Sequence, residues 1–343
     1  MSAPGISVIV PTYDCARYIA TCIDSVIAQT RPADEILVVD DGSTDDTPSI
    51  VTSYRDPRIR YIRMPHRGTA AARNRGIELA RGRYLAFLDA DDVWRPAMLE
   101  RQVSVMEADP RLVCCFTNFM RFKDATGEPM AEQFDYYPEL ARLPVTACAG
   151  TAALVLEGDA FTGLIGFEDI PAFMQCMLFR RALISDMRLN ESLKRCQDLE
   201  FVARVFMRGK VAFTREVLTD VRRHDGNATR DISLMALDKL RALVPLRNAV
   251  DTPARRAALE QRLVKAWIDA ATTLIRSGRR WDGMRHFAQA LALPGSLVRK
   301  LKGMARVGYE LAASLTARAP AVARATAKSS KASGVPWPPG RRR

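Results

Sequence analysis

Between Tyr84 and Trp94 the chain reads YLAFLDADDVW, an apolar run that stops abruptly in three carboxylates, Asp89, Asp91 and Asp92. Tyr84 to Leu88 has the length and aromatic content of a buried strand, with Gly82 and Pro96 punctuating its ends. The strand therefore delivers acid to the edge of a sheet, where like charges repel. Either the three acids face water and cap the helix that starts near Pro96, or a cation sits among them. Hard oxygen ligands favour Mg²⁺ or Mn²⁺ over Zn²⁺.

The preceding sequence repeats the theme. Ile6 to Val10 reads as a buried strand, followed by Pro-Thr-Tyr-Asp and a helix over 17–29 with Ile19, Ile23, Val26 and Ile27 on one face. Glu35 to Asp40 reads as a second strand running into DDGSTDDT, where Gly42 permits a tight turn and Ser43, Thr44 or Asp45 can cap the next helix. Ile59 to Arg63 is a third strand, and GTAAARNRGIELARG, 68–82, is a loop and an Ala-rich helix. Alternating strands and helices predict a parallel sheet covered by helices, with ligands at the carboxyl ends of the strands. Polar residues gather at those ends: Thr12, Tyr13 and Asp14, then Asp40 and Asp41, then Asp89 and Asp91. No G-x-G-x-x-G follows the first strand, and Pro11 stands in its place, which removes most support for a dinucleotide oxidoreductase.

Charge and cysteine usage exclude other classes. The net charge of +12 suggests nucleic acid until it is located: from Ser296 onward eleven Lys and Arg meet one acid, Glu310, so ten of the twelve charges lie in the tail. Nucleic acid is accordingly not an expected partner. Seven cysteines without C-x-x-C spacing argue against a disulfide framework or zinc site. There is no basic, apolar leader at the N-terminus and no run of about 18 apolar residues, so the expectation is a cytoplasmic protein.

The segments SVIVPTYD (7–14), ILVVDDGSTDDT (36–47), AARNRGIELARG (71–82) and YLAFLDADD (84–92) together resemble the inverting family 2 glycosyltransferases, in that family's order and approximate spacing. The resemblance covers roughly the first 110 residues. It implies an α/β GT-A nucleotide-diphospho-sugar transferase fold, a Rossmann-like, mainly parallel sheet flanked by helices. It also implies that Asp40 reads the nucleotide base, with Pro11, Thr12 and Tyr13 lying against it, that Asp89 holds the ribose, and that Asp91 binds a divalent Mn²⁺ or Mg²⁺. Arg73, in the ARN element, is implied near the nucleotide or diphosphate, the alternative being a surface residue on an Ala-rich helix. Asp41, Asp45 and Asp92 read as helix caps or solvated turns.

Beyond a strand at Leu112 to Phe116 the resemblance fades. Residues 117–175 show no clear period and suit a loop-rich acceptor region or an ordinary irregular connection. It returns at MLFRRALI (177–184) and CQDLEFVARVFMRG (196–209), a helix whose buried stripe would be Leu199, Val202, Ala203 and Phe206. Inverting transfer needs a base for the acceptor hydroxyl. Asp198 matches the family's base, with Gln197 where the family often has Glu, and Glu200 as the weaker alternative. VRRHDGNAT (221–229) resembles the family's Arg-x-His segment, which implies that His224 contacts the metal or the diphosphate with Arg222 or Arg223 adding positive charge, the alternative being a basic surface turn.

From Leu234 the composition turns to Ala, Leu and Arg at helical spacing. Leu259, Leu263, Trp267, Ala270 and Leu274 share a face, and Met284, Phe287, Ala290 and Leu291 suggest a partner helix after a turn at Ser277 to Arg280. Leu297, Leu301, Met304, Leu311 and Leu315 lie opposite Arg299, Lys302 and Arg306, which predicts an amphipathic helix that either holds the protein peripherally at an anionic inner membrane face or packs on its own domain with Arg and Lys facing water. The expected division is a catalytic domain at 1–230 (nucleotide-sugar half 1–115, acceptor half 116–230), a helical extension at 231–295, a basic amphipathic helix at 296–326 and a disordered basic tail at 327–343. The expected partners are a nucleotide-diphosphate sugar and a hydroxyl acceptor on a glycan or lipid-linked glycan. A nucleotidyltransferase would need a basic glycine-rich loop that PTYDCARYIA lacks. Against a catalytically inactive sugar-nucleotide-binding or scaffolding protein stand the intact Asp40, Asp89, Asp91 and Asp198.

Overall fold

The computed structural model describes residues 5–167, 171–224, 232–294 and 297–316. Glu168, Asp169 and the segment from Ala317 to Arg343, which holds the expected tail, lie outside them. In chain order the first half runs β1 (Ile6–Thr12), α1 (Ile19–Ile27), β2 (Glu35–Asp40), α2 (Thr47–Ser53), β3 (Ile59–Arg63), α3 (Thr69–Leu79), β4 (Tyr84–Phe87), β5 (Val93–Trp94) and α4 (Met98–Ala108). It continues through β6 (Leu112–Lys123), β7 (Pro129–Glu132), β8 (Val145–Ala147), β9 (Leu154–Leu156), α5 (Ala160–Ile165), β10 (Met177–Arg180), α6 (Gln197–Phe206) and β11 (Lys210–Arg223). Four helices follow: α7 (Ile232–Leu243), α8 (Pro253–Arg276), α9 (Arg280–Ala292) and α10 (Leu297–Thr316).

Every residue of β1 and β4 is buried, as expected of strands covered on both faces. β3 is only half-buried, because it is the sheet's edge. The strands lie in the order β3-β2-β1-β4-β10-β6-β11-β9-β8, with β5 paired to β11 and β7 to β6. β1 to β4 are parallel, whereas β10 runs antiparallel to both β4 and β6, so the sheet is mainly rather than wholly parallel. β4 and β6 therefore point the same way, and β11 is parallel to β6. This arrangement brings the carboxyl ends of β1, β2, β4, β6 and β11 to one edge.

Two glycines make close packing possible. Gly42, at φ 87°, turns the chain after β2 where a Cβ would meet His66 N at 3.1 Å. A Cβ on Gly76 would lie 2.3 Å from Ile9 Cγ2, so its absence lets α3 settle against β1.

Several expectations change. The region 117–175 is more regular than its sequence suggests, since β6 continues to Lys123 and β7, β8, β9 and α5 follow. Pairing of β7 with β6 and of β9 with β11, and of β8 with β9 in turn, orders three- and four-residue segments too short to show a period. On α6 the buried stripe includes Phe201 and Val205 as well as Val202, Ala203 and Phe206, while Leu199 is half-buried. On α9 Gly283, Phe287 and Ala290 face inward and Met284 and Leu291 face out. A Cβ at Gly283 would sit 2.8 Å from Ala271 O, so the glycine side makes the close approach to α8.

The C-terminal helices share a core with the sheet: Phe179 and Phe213 belong to the same apolar cluster as Leu243, Leu263, Ile275 and Phe287. An ion pair of 2.6 Å between Arg255 and Asp159 ties α8 to the start of α5. No helix among the described residues is long and apolar enough to cross a membrane.

Candidate active site

The turn after β2 is braced from within. Asp40 is 0% exposed, and its Oδ1 accepts from Ser43 N at 2.8 Å and Ser43 Oγ at 2.6 Å. Its Oδ2 accepts from Tyr61 Oη at 2.5 Å. Both oxygens are thus engaged, and Asp40 holds the turn from a fully buried position. Asp41, read from sequence as a cap or solvated residue, is buried too. Its carboxylate accepts from Arg67 N at 2.8 Å and Gly68 N at 2.7 Å and meets His66 Nδ1 at 2.9 Å, pinning the loop before α3. Asp45 takes Thr47 N and Ala16 N, both at 2.9 Å, and so joins α2 to the loop after β1.

What this edge does present is a pair of rings. Tyr13 is 43% exposed and lies 4.3 Å, centroid to centroid, from His66. His66 escaped the sequence reading, and its only signal there is that it is one of three histidines. Thr12 is buried beneath, and Pro11 pairs with Val39 in the sheet.

Arg73 is not a surface residue. Its side chain is 5% exposed, and Nη2 donates to Asp89 Oδ1 at 2.5 Å, with Asp89 30% exposed. Arg73 Nε is buried without a hydrogen-bond partner. Burial disfavours the guanidinium charge, but Asp89, Asp198 and Asp91 more than offset it and hold the guanidinium pKa above its usual value. The neighbouring Asn74, unnoticed in the sequence, bonds Leu189 N at 2.7 Å and Leu189 O at 2.9 Å. Adjacent residues of one helix thus hold the end of β4 and the segment leading to α6.

Asp91 Oδ2 stands 3.0 Å from His224 Nε2, and the two side chains are 24% and 17% exposed. Burial, then repulsion from Asp89, raises the Asp91 pKa, while His224 works against the rise. Asp92 does not solvate a turn. It is buried and accepts from Arg222 N at 2.9 Å, and burial with Asp91 and Asp89 nearby pushes its pKa well up. Arg222 locks the strand ends together, with Nε donating to Asp91 O and Nη1 to Asp124 Oδ1, both at 2.9 Å.

Asp198 occupies the first turn of α6, directly after Cys196, whose φ of 58° bends the chain into the helix. Its Oδ1 accepts from Leu199 N at 2.8 Å. Burial raises its pKa, and Arg73 is the largest influence pulling it back. Glu200, the other acid considered, is clamped by Arg204 through bonds of 2.7 and 2.9 Å.

The acids can accommodate a divalent cation. Asp91 and His224 offer a hard oxygen and an imidazole nitrogen 3.0 Å apart, with the Asp89 carboxylate adding negative charge beside them. Among the described residues no group of three or more His, Cys, Asp or Glu is arranged to hold a metal. Two protein ligands with phosphate and water completing the shell is the usual pattern for Mg²⁺ at phosphate sites.

Residues 7–164 match the sequence model of the family described as "Glycosyl transferase family 2". The UDP-Glc:alpha-D-GlcNAc-diphosphoundecaprenol beta-1,3-glucosyltransferase WfaP of Escherichia coli is 37% identical over 120 residues, which is 35% of this chain and 47% of that protein. The chain spans less than half the length of the curated relatives it matches, 38% and 37% of two others. Staphylococcus aureus TarS 1–349 in complex with UDP-GlcNAc superposes with a TM-score of 0.63 at 18% identity, over 90% of this chain and 89% of that one. Mannosyltransferase PcManGT from Pyrobaculum calidifontis, in complex with GDP-Man and Mn²⁺, gives 0.56 at 20% identity over 94% and 81%. At such identities the likeness establishes the GT-A fold.

Proposed function

Since the chain belongs to glycosyl transferase family 2, we propose that it moves a sugar from a nucleotide-diphosphate sugar, a UDP-sugar in the first instance, to a hydroxyl of a glycan or lipid-linked glycan, with inversion. The observation that supports this reading is the meeting of acids from two distant segments, Asp89 and Asp91 with Asp198, around the buried guanidinium of Arg73. The relatives point the same way in their names, since one acts on a diphosphoundecaprenol-linked sugar and two structural neighbours hold UDP-GlcNAc and GDP-Man.

In this reading the base lies against Tyr13 and His66, on the turns that Asp40 and Asp41 brace above Pro11 and Thr12. Asp89, held by Arg73 and partly open, takes the ribose hydroxyls. Arg73 keeps Nε for an oxygen of the donor, which suits a fork-shaped cation near a diphosphate. Asp91 and His224 would hold Mn²⁺ or Mg²⁺. When bound, that ion offsets the negative charge growing on the departing diphosphate. Asp198 accepts the proton of the attacking hydroxyl. Its raised pKa makes it a better base than an ordinary carboxylate, and Arg73 opposes the rise by favouring the charged form.

Asp198→Asn tests the assignment, because Asn preserves shape and can still accept from Leu199 N. The measurements are release of nucleoside diphosphate from a panel of nucleotide sugars with Mn²⁺, donor affinity by calorimetry, and Tm. Loss of a general base costs a factor of about 10² to 10⁴, so kcat should fall within that range while donor affinity and Tm hold. Near-native turnover by the variant would leave Asp198 as a helix-end residue, and failure of every donor to bind the parent chain would remove the transferase reading.

A further inference from the structure

We propose that the outer face of α10, with the adjoining face of α9, is a docking surface for an anionic lipid bilayer. α10 already satisfies its packing on the inner side. Val307 is buried, and a Cβ at Gly303 would lie 2.5 Å from Ile268 Cδ1, so the helix sits tightly on α8. Arg306 pairs with Asp269 of α8 at 2.7 Å, and Arg299 donates to Gln261 O at 2.8 Å. Two of the cations expected to oppose the apolar stripe thus anchor the helix to the protein. The stripe itself is left facing water.

Leu297, Leu301 and Met304 are 69%, 53% and 50% exposed, at the i, i+4, i+7 spacing of one helical face. Ala305 and Ala312 continue the outer side, and Tyr309 is exposed beside them. α9 adds exposed Trp281, Met284 and Leu291. The end of α9 adjoins the start of α10, because Lys300 Nζ donates to Leu291 O at 2.8 Å. Exposed apolar residues on two neighbouring helices are more than the scattered single side chains of an ordinary surface.

Charge identifies the occupant. Lys300 and Lys302 flank the stripe, and the sequence after Thr316 holds seven Lys and Arg and no acid. A second copy of this chain would bring the same ten net positive charges of the C-terminal region against themselves, which opposes self-association. An anionic bilayer offers the complement: acyl chains for Leu, Met and Trp, and headgroups for the lysines, whose long stems reach past the apolar layer.

The test uses the full chain and sedimentation with phosphatidylcholine vesicles, with and without phosphatidylglycerol. The parent should bind the anionic vesicles, bind neutral ones weakly, and lose binding as salt shortens the electrostatic range. Leu301→Gln with Met304→Gln, at exposed positions, should weaken binding more than tenfold with an unchanged melting curve. Lys302→Gln should weaken it about fivefold, as expected for one basic residue at an anionic surface. Binding of the double Gln variant equal to the parent's would overturn the proposal by leaving the basic tail alone responsible. So would preference for neutral vesicles, or a parent that dimerises through this face in ultracentrifugation and ignores vesicles. None of these measurements involves a sugar donor, so they stand apart from any failure of the transferase reading.

Discussion

Replacing Arg73 by Met removes a buried positive charge while keeping most of the side chain's volume. Losing one partner of a buried ion pair typically costs about 3–5 kcal/mol. Here Asp89 is 30% exposed and water can reach it, so the lower value of about 2–3 kcal/mol is the better expectation. For a catalytic domain of this size each kcal/mol moves Tm by about 2–4 °C, which puts the loss at about 4–12 °C near pH 7.5. The pH dependence is a second signature. Without Arg73, Asp198 loses the main influence opposing its burial and Asp91 loses a neutralising charge, so these two carboxyls bind protons more readily in the folded state. A raised folded pKa favours folding at low pH, and that advantage is lost as pH rises through it. The Tm gap between parent and variant should therefore narrow from pH 7.5 to pH 5, and the acid limb of kcat should move to higher pH. Arg73→Lys should fall between the two, because it keeps the charge and loses the fork. Scanning calorimetry at both pH values decides the matter. A gap below about 1 °C that does not vary with pH would refute the view of Arg73 as the charge that holds these acids together.

Asp91→Asn should weaken Mn²⁺ binding, read by electron paramagnetic resonance in the presence of nucleoside diphosphate, and abolish most turnover with the fold intact; undiminished metal-dependent activity would count against Asp91 as a ligand. Asp41→Asn replaces an acceptor of two backbone N–H groups with a side chain that also donates, so urea denaturation should show a loss of about 1.5–3 kcal/mol, and native stability would rule out the bracing role. Gly82→Ala would put a Cβ 2.6 Å from Ser7 N and 2.9 Å from Gly5 O, both backbone atoms, so overpacking of about 1–3 kcal/mol is expected in the same assay.

The strands that build the edge were readable because each is a local apolar run bounded by turn residues, and the acids stand next to those runs in sequence. The placement of β10 was not. Its antiparallel seat between β4 and β6 depends on pairing Leu178 with Ala86 on one side and Cys115 on the other, which no local pattern records. Arg73 was ambiguous for a different reason. An Ala-rich helix with no apolar stripe fits either an exposed surface or a close-packed interior, and the choice turns on how near Gly76 comes to Ile9.

The acids themselves sort in a way the motif cannot express. Asp40, Asp41 and Asp92 are spoken for by Ser43, Tyr61, the backbone N–H groups of Arg67 and Gly68, the His66 ring and Arg222 N, and they are buried. Asp89, Asp91 and Asp198 keep some open surface, with Arg73 influencing all three and His224 beside Asp91. Within DDGS and DADD a bracing acid and a presenting acid can be the same residue type one or two positions apart. Which is which depends on partners drawn from Tyr61, Arg67, Arg222 and Arg73, all outside those motifs. A carboxylate buried and bonded within its own turn is out of a ligand's reach, so on the proposed reading chemistry at this edge falls to the three acids that keep open surface.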